Sequence, residues 1–282
     1  MQSNNPVFRR SEEFNSTGST RQGYGQTGYT DPSTWGTGEP GQPGVQTPVA
    51  TTGPMTIDSV VQKTALSLGV VVITAAITWV MSPDVDQNTA SSALGGLIAA
   101  ATIGSLAAFG LSLVNSFKRV ISPALVMAFA VAEGIALGGL SKLFDAQFEG
   151  GIVTQAVIGT FAAFAGTLAA YKFFNIQVGN KFRTFVIAAV FGMVGLSLLE
   201  VVLGLFNSQL GVFGFGGVGL LFSIVGLVLG VFMLILDFDF VEQGVANGLP
   251  ESESWRAAFG LTVSLVWIYT NLLRILAIFS DN

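Results

Sequence analysis

Long stretches without a charged side chain alternate with short charged segments along most of this chain. Asp, Glu, Lys and Arg are absent from residues 64–83, 87–117, 150–171, 201–236 and 257–273. A helix needs about 20 mostly apolar residues to cross the hydrocarbon core of a bilayer. The pattern therefore predicts an α-helical protein that crosses the membrane several times.

The breaks between the apolar stretches predict seven transmembrane helices and an all-α fold. The stretch 201–236 is too long for one helix, and Asn207-Ser208-Gln209, with the Gly-rich segment that follows, predicts a turn that divides it. Lys118-Arg119 and Ser122-Pro123 separate two spans in the same way. The predicted spans are residues 65–82, 92–114, 122–144, 151–173, 184–206, 215–237 and 257–279.

The first 55 residues differ in composition from the rest of the chain. They are rich in Gly, Thr, Pro and Gln and show neither helical nor strand periodicity. Such a segment cannot bury enough apolar surface to offset the entropy lost on ordering. We expect a disordered polar tail over residues 1–55 and a transmembrane domain over residues 56–282. An inert tether is the first interpretation of the tail, and a partner-binding segment is the second.

The composition excludes several classes of protein and of chemistry. Hydrophobic residues make up 51% of the chain and charged residues only 10%, which excludes a soluble domain. Cys and His are absent, so disulfides, Cys/His zinc sites and imidazole acid–base chemistry are excluded. We expect no bound metal or cofactor and no nucleic-acid partner. Any proton-linked behaviour must depend on carboxylates.

The distribution of basic residues predicts a cytoplasmic N-terminus, and we expect the protein in the plasma membrane. With that orientation only Lys142 and Arg274 fall near the outer side, and the ten other basic residues fall on the cytoplasmic side. Cytoplasmic loops carry the excess of Lys and Arg, although the three arginines of the tail count less because of their distance. Seven spans place the C-terminus outside. A last segment that fails to cross would return it to the cytoplasm.

Glycines at a spacing of four residues occur within two predicted spans. They are Gly134 and Gly138 in span three and Gly226 and Gly230 in span six. Such pairs let helix backbones approach closely where no hydrophobic force acts between helices. They predict tight packing within the bundle in preference to a dimer motif.

Carboxylates within the predicted spans are the candidate functional groups, because a charged and unpaired carboxylate in a bilayer is costly. Glu133 lies in the middle of span three, Glu200 late in span five, and Asp237 and Asp239 at the end of span six. Glu133 is either a protonated group hydrogen-bonded to a neighbouring helix or a proton- or cation-responsive site. Glu200 has a third option, near the outer interface. A solvated helix end is the alternative for Asp239 and, less well, for Asp237.

Two geometric expectations concern these ionisable groups. Asp237 and Asp239 are about 200° apart on a helix, so they face one pocket only if the helix ends between them. Arg274 is the one basic residue deep in an apolar run. It is a candidate ion-pair partner for an acid of another span, and its alternative is to reach outward to the interface, which we favour.

Ordered segments across several spans resemble a known family. They are SFKRVISPALVMAFAVAEGIALGGLSKLF, GIVTQAVIGTF and LDFDFVEQGVANGLPESESWRAAFGLTVSLVWIYTNLLRILA. These segments resemble the Bax inhibitor (transmembrane Bax-inhibitor-motif, YccA-like) family, and most of all its bacterial branch with a polar N-terminal extension. The resemblance covers about residues 56–280. It implies a seven-helix bundle in which the last helix is central and surrounded by the other six.

The resemblance also implies a pH-sensitive calcium leak, an activity attributed to some members. In those members an aspartate that ends span six and another within span seven form a proton-sensitive latch. Asp237 matches the first aspartate, whereas Ser264 stands where the second would lie, and serine does not titrate. Asp239 and Glu133 are the candidate substitutes, and a gate that works differently in this chain is the alternative. Two nearby carboxylates that share a proton provide a switch without histidine.

Two functional hypotheses follow. The first is a passive cation leak, with calcium as the ion, whose opening depends on carboxylate protonation. The second is a regulatory membrane protein, because some YccA-like relatives are associated with a membrane-anchored ATP-dependent protease through their N-terminal tails. An enzyme is not expected, since no nucleophile–base, HExxH-like or GxGD-like spacing is present. The lipid bilayer is a partner under either hypothesis.

Overall fold

The computed structural model describes residues 53–84, 91–148 and 151–280. The predicted tail, residues 1–55, therefore lies outside the described residues except for its last three. The chain forms the helices α1 (Ile57–Met81), α2 (Ser91–Phe117), α3 (Pro123–Gln147), α4 (Ile152–Phe173), α5 (Asn180–Leu205), α6 (Gly217–Ala246) and α7 (Glu253–Ser280). All seven are long and apolar enough to cross a membrane. The predicted all-α fold with seven membrane-spanning helices is confirmed, and the described residues add no strand beyond one isolated bridge.

Two helices extend well past the predicted spans. α1 begins at Ile57 because Thr56 and Ser59 form a capping box, in which the Ser59 amide donates to Thr56 Oγ1 at 3.1 Å. α6 continues to Ala246 and ends before Gly248, whose φ of +63° suits the left-handed turn after a helix. The helix therefore continues past Asp237 and Asp239, which the sequence placed at the end of span six. Hydropathy locates the segment that matches the hydrocarbon core, whereas the helix itself continues as far as its backbone hydrogen bonds do.

α7 is the central helix, as the family resemblance implied. It packs directly against α6, α1, α4 and, to a lesser extent, α3. Half of its apolar window is buried inside the protein, as in α3, compared with 17% in α1, α2 and α5. Within the described residues the backbone of α2 packs on α3 and that of α5 on α6, and neither backbone packs against α7, although Ala108 of α2 belongs to the same apolar cluster as Phe259 of α7. The central helix is thus surrounded directly by four helices, and the other two form an outer layer.

Apolar clusters surround α7 at both ends. Towards the end of the bundle where α1 begins, Leu261 and Leu265 of α7 pack with Val60 and Leu234. Towards the opposite end, Leu273 packs in a second cluster with other buried apolar residues of α3 and α4. The core of the protein is therefore organised along the length of one helix.

The two glycine pairs provide close helix contacts, so the prediction of tight packing is confirmed. A Cβ atom added at Gly138 would lie 2.5 Å from the carbonyl oxygen of Ala75 on α1, and one added at Gly134 would lie 2.6 Å from that of Val71. On α6, the Gly226 carbonyl accepts a hydrogen bond of 2.8 Å from Trp267 Nε1 on α7. At Gly134 and Gly138 a side chain would meet backbone atoms of α1, whereas at Gly226 and Gly230 it would meet side chains of α7.

The segment just before α1 is hydrogen-bonded to the loop between α6 and α7. Pro54 and Pro250 form an isolated antiparallel bridge, flanked by hydrogen bonds from the Met55 amide to the Leu249 carbonyl (2.6 Å) and from the Glu251 amide to the Gly53 carbonyl (2.9 Å). Met55 is 1% exposed. Residues 53–55, assigned to the tail from the sequence, thus pack as part of the transmembrane domain.

The α1–α3 contact yields a prediction about stability. Gly138→Ala should lower the free energy of unfolding by about 1–3 kcal/mol, because the new methyl group meets backbone atoms of Ala75 that cannot rotate away. Gly110→Ala on α2 is the matched control, since nothing lies within 4 Å of a Cβ there. Denaturant unfolding in detergent micelles measures both. Equal stabilities of the two variants would contradict the proposed close contact.

Candidate functional site

Asp237 lies on α6 where that helix packs against α7. Its Oδ2 atom accepts a hydrogen bond of 2.5 Å from Ser264 Oγ, and its Oδ1 atom lies next to Gly260. Gly260 presents no side chain, so the carboxylate comes close to the backbone of α7. No basic group of the described residues is within ion-pair distance of Asp237. The structure therefore brings together the two positions that the family resemblance had paired, with a hydroxyl group in place of the second carboxyl group.

A groove between α5 and α6 reaches the same aspartate. It has a volume of about 240 Å³, and Asp237 is its one ionisable lining residue. The other lining residues are Val186, Ile187, Val190, Phe191, Met233 and Leu236. Asp237 thus has α7 on one side and an apolar groove at the surface of the bundle on the other.

Asp239, two residues further along α6, faces a different neighbour. Its Oδ2 atom accepts hydrogen bonds from Arg183 Nη2 of α5 (2.8 Å) and from Gln243 Nε2 (2.8 Å). The side chain of Asp239 is 9% exposed and that of Arg183 is 45% exposed. The expectation that Asp237 and Asp239 cannot share a pocket on a continuous helix is confirmed. Because an arginine neutralises Asp239, this residue is a poor substitute for a second titrating carboxylate.

Glu133 lies on α3, on the face that packs towards α7. The ring contact Phe129–Phe259 and the hydrogen bond Ser141 Oγ–Tyr269 Oη (2.6 Å) fix the register of the two parallel helices on either side of it. This register places Glu133 beside the turn of α7 that contains Ser264. Glu133 forms no hydrogen bond or ion pair with another described residue, so the hydrogen-bonded alternative finds no partner among the described residues. Asp237 and Glu133 therefore flank α7 at a similar depth, from α6 and α3.

Glu200 and Arg274 hold the loop between α5 and α6 at the opposite end of the bundle from residues 53–55. Both carboxylate oxygens of Glu200 accept backbone N–H bonds, from Leu210 (2.7 Å) and Gly211 (3.0 Å). Arg274 Nη2 donates to the backbone carbonyl of Val212 (2.6 Å). Within the described part of the chain Arg274 has no carboxylate partner. Instead of pairing with an acid or reaching outward to the interface, it anchors this loop. Glu200 thus binds backbone amide groups, and Arg274 a backbone carbonyl group, of the same short segment.

Lys142 has a structural role that sequence reasoning missed. Its Nζ atom donates to the carbonyls of Trp79 (3.0 Å) and Ser82 (2.6 Å) and lies 3.2 Å from Asp84 Oδ1. Lysine commonly binds the free carbonyls at the end of a helix, and here that helix is α1. The available signal was a lysine near the end of predicted span three, but its partners are about 60 residues away in sequence.

Ion pairs gather at the end of the bundle that contains the α6–α7 loop. Lys63 Nζ lies 2.8 Å from Glu251 Oε1. Arg256 pairs with Glu253 at 2.7 Å and also donates to the Arg119 carbonyl at 2.8 Å. These bonds tie α1 and the α2–α3 connection to the start of α7. We assign these ion pairs a structural role, because each charged group in them has a partner of opposite sign.

No group of three or more Asp, Glu, His or Cys side chains within residues 53–84, 91–148 and 151–280 is placed to hold a metal ion. The arrangement therefore provides single carboxylates along α7 and no preformed metal cage. Such carboxylates can exchange a proton or contact a passing cation.

Comparisons with known proteins indicate one family. A family model described as Bax inhibitor 1 like matches residues 5–281, nearly the whole chain. An uncharacterized protein of Chlamydia muridarum (strain MoPn / Nigg) is 27% identical over 158 residues, which is 54% of this chain. The match spans 63% of that relative's own length.

The Glu200 contacts yield a second prediction. Glu200→Gln replaces one of two acceptor oxygens by an NH2 group that faces a backbone N–H, so the free energy of unfolding should fall by about 1–3 kcal/mol. Hydrogen–deuterium exchange at Leu210 and Gly211 should become faster. Glu242→Gln is the matched control, because Glu242 is exposed and its amide oxygen can keep the bond from Tyr171. Unchanged exchange in the loop would show that Glu200 does not hold it.

Proposed function

The chain belongs to the Bax inhibitor 1-like family of integral membrane proteins, and from that membership we propose that it is a passive cation leak, with calcium as the ion. In this proposal the protonation state of Asp237 and Glu133 sets the balance between closed and open arrangements of the bundle. The role is transport and not catalysis.

The observation that carries the proposal is the environment of Asp237. Its carboxylate is held between α6 and α7 by one hydroxyl group and has no basic partner among the described residues. A charged carboxylate at such a site costs free energy unless water or a cation reaches it, whereas a protonated one does not. Ionisation therefore favours an arrangement in which α6 and α7 admit water or a cation. Protonation favours the arrangement in which α6 and α7 pack together at Asp237 and Ser264.

Glu133 is the second acid of the proposed switch. Ser264 has no carboxyl group and Asp239 is neutralised by Arg183, which leaves Glu133 as the candidate with no partner among the described residues. The contacts of α3 with α7 on either side of Glu133 give it a depth similar to that of Asp237. Carboxylate oxygens are the ligands that calcium prefers, so each acid can contact the ion where water reaches it.

We place the N-terminal side of the domain in the cytoplasm and the protein in the plasma membrane. The end of the bundle that carries residues 53–55 also carries most of the basic residues, which are Lys63, Lys118, Arg119, Lys172, Lys181, Arg183 and Arg256. The opposite end carries Lys142 and Arg274. This asymmetry is the one that the positive-inside rule associates with a cytoplasmic face. Because α7 is long enough to cross, the C-terminus then lies outside.

A flux measurement tests the switch. Calcium efflux from proteoliposomes should rise with pH between about pH 5 and pH 8, at most about tenfold per pH unit for each proton released. Asp237→Asn carries no charge at any pH, so its efflux should stay at the low-pH value of the unmodified protein. Glu133→Gln should reduce the pH dependence in the same direction.

Asp239→Asn is the control for this experiment, because Arg183 already neutralises Asp239. Loss of the Asp239 carboxylate should therefore leave the pH dependence of efflux unchanged. A profile of Asp237→Asn that coincides with that of the unmodified protein would remove Asp237 as the sensor. Efflux equal to that of empty liposomes at every pH would reject the leak itself.

A second candidate function is regulation through a partner, such as a membrane-anchored protease, that binds the tail. It is favoured by the bridge of residues 53–55 to the α6–α7 loop. Through this bridge a partner bound to the preceding residues would act on the two helices that carry Asp237 and Ser264.

Deletion of residues 2–50 separates the two functions, because it leaves the bridge of Pro54 to Pro250 intact. The leak and its pH profile should survive, and co-purification with a membrane protease should be lost if the tail binds one. Deletion of residues 2–54 is the comparison, since it also removes the Gly53 and Pro54 contacts and should lower thermal stability. Loss of flux in the shorter deletion would contradict an independent leak domain.

A further inference from the structure

A large groove opens on the flank of the bundle between α1 and α4. These two helices do not pack on each other in the described structure, and α3 and α7 form the floor between them. The groove has a volume of about 610 Å³, within the range of small-molecule binding sites. It shares no lining residue with the narrower groove at Asp237. It is therefore a separate feature from the proposed switch.

The groove faces the hydrocarbon of the bilayer. Its lining is mostly apolar, with Val72 and Val80 on the α1 side and Val157 and Phe161 on the α4 side. These rim residues are between 40% and 80% exposed on helices long and apolar enough to cross a membrane. A side chain exposed there meets acyl chains and not water. The opening is thus lateral, towards the membrane interior.

The end of the groove furthest from residues 53–55 is polar and acidic. Ser141 and Tyr269 meet there through a hydrogen bond of 2.6 Å between their hydroxyl oxygens. Asp145 lies one turn further along α3, is exposed, and pairs with no described residue. The adjacent lysine, Lys142, is turned away to the carbonyls at the end of α1. This end of the groove therefore offers a carboxylate that no base of the described residues neutralises.

From this gradient we propose that the groove binds one membrane phospholipid with an ammonium-bearing headgroup. An acyl chain occupies the apolar length between α1 and α4, and the ammonium group lies against Asp145. The apolar lining favours hydrocarbon, and the lateral opening admits an acyl chain from the bilayer. The carboxylate of Asp145 favours a headgroup that carries an ammonium group over an anionic headgroup that lacks one. The bound lipid would contact Leu265, Val266 and Tyr269, the residues of α7 that form part of the floor of the groove.

The first test fills the groove. Val157→Trp places an indole in it from an exposed position, so the fold should tolerate the change. Ile158→Trp is the matched control, because Ile158 is 64% exposed on the same helix and does not line the groove. Native mass spectrometry of protein released from nanodiscs with equal amounts of phosphatidylethanolamine and phosphatidylglycerol counts the retained lipids. We expect Val157→Trp to retain phosphatidylethanolamine about tenfold less than Ile158→Trp, a loss of about 1.4 kcal/mol.

The second test removes the charge. Asp145→Asn should abolish the preference for phosphatidylethanolamine while a chain is still retained, and Asp58→Asn, an exposed aspartate at the other end of the bundle, should leave the preference unchanged. Equal retention of the two lipids by the unmodified protein would overturn the headgroup assignment. Equal retention by Val157→Trp and Ile158→Trp would overturn the site. Both readouts are independent of calcium flux, so they stand or fall separately from the proposed leak.

Discussion

Hydrocarbon offers no hydrogen-bond partner to a polar side chain, so every polar group inside this bundle must find its partner within the protein. Most do so in a way that leaves no free charge. Glu200 binds two backbone amides, Lys142 binds the carbonyls at the end of α1, and Arg183 neutralises Asp239. Against this background Asp237 and Glu133 stand out, because neither has a basic partner among the described residues. Groups that are costly to keep in a membrane and are not compensated are where function is expected.

The sequence was sufficient for the number of helices and their approximate positions, because the length of an uncharged stretch is a direct measure of its ability to span a bilayer. It was insufficient for the helix ends at Ile57 and Ala246, which depend on a capping box and on a left-handed glycine. Centrality of α7 came from the family resemblance and could not be deduced from hydropathy, since a central helix and a peripheral one are both apolar. The structure adds that, among the described helices, four pack their backbones directly against it.

The candidate site shows the same division. The chemistry of each ionisable residue could be predicted from its place in a span, but its partner could not, because the partners are distant in sequence. Arg183 and Asp239 are 56 residues apart, and Lys142 reaches back 60 residues to Ser82. Ser264 was located by its place in the family pattern as the position opposite Asp237. The structure confirms the contact and gives it a hydrogen bond that a pattern cannot supply.

The bridge between Pro54 and Pro250 also has a mechanical consequence. It joins the start of the domain to the loop between α6 and α7. The backbone before α1 is therefore linked to the end of α6 and to the start of α7. A displacement of Gly53 and Pro54 would therefore reach this loop directly, and through it the end of α6 and the start of α7. In the proposed function, movement of this loop and ionisation of Asp237 would act on the same pair of helices.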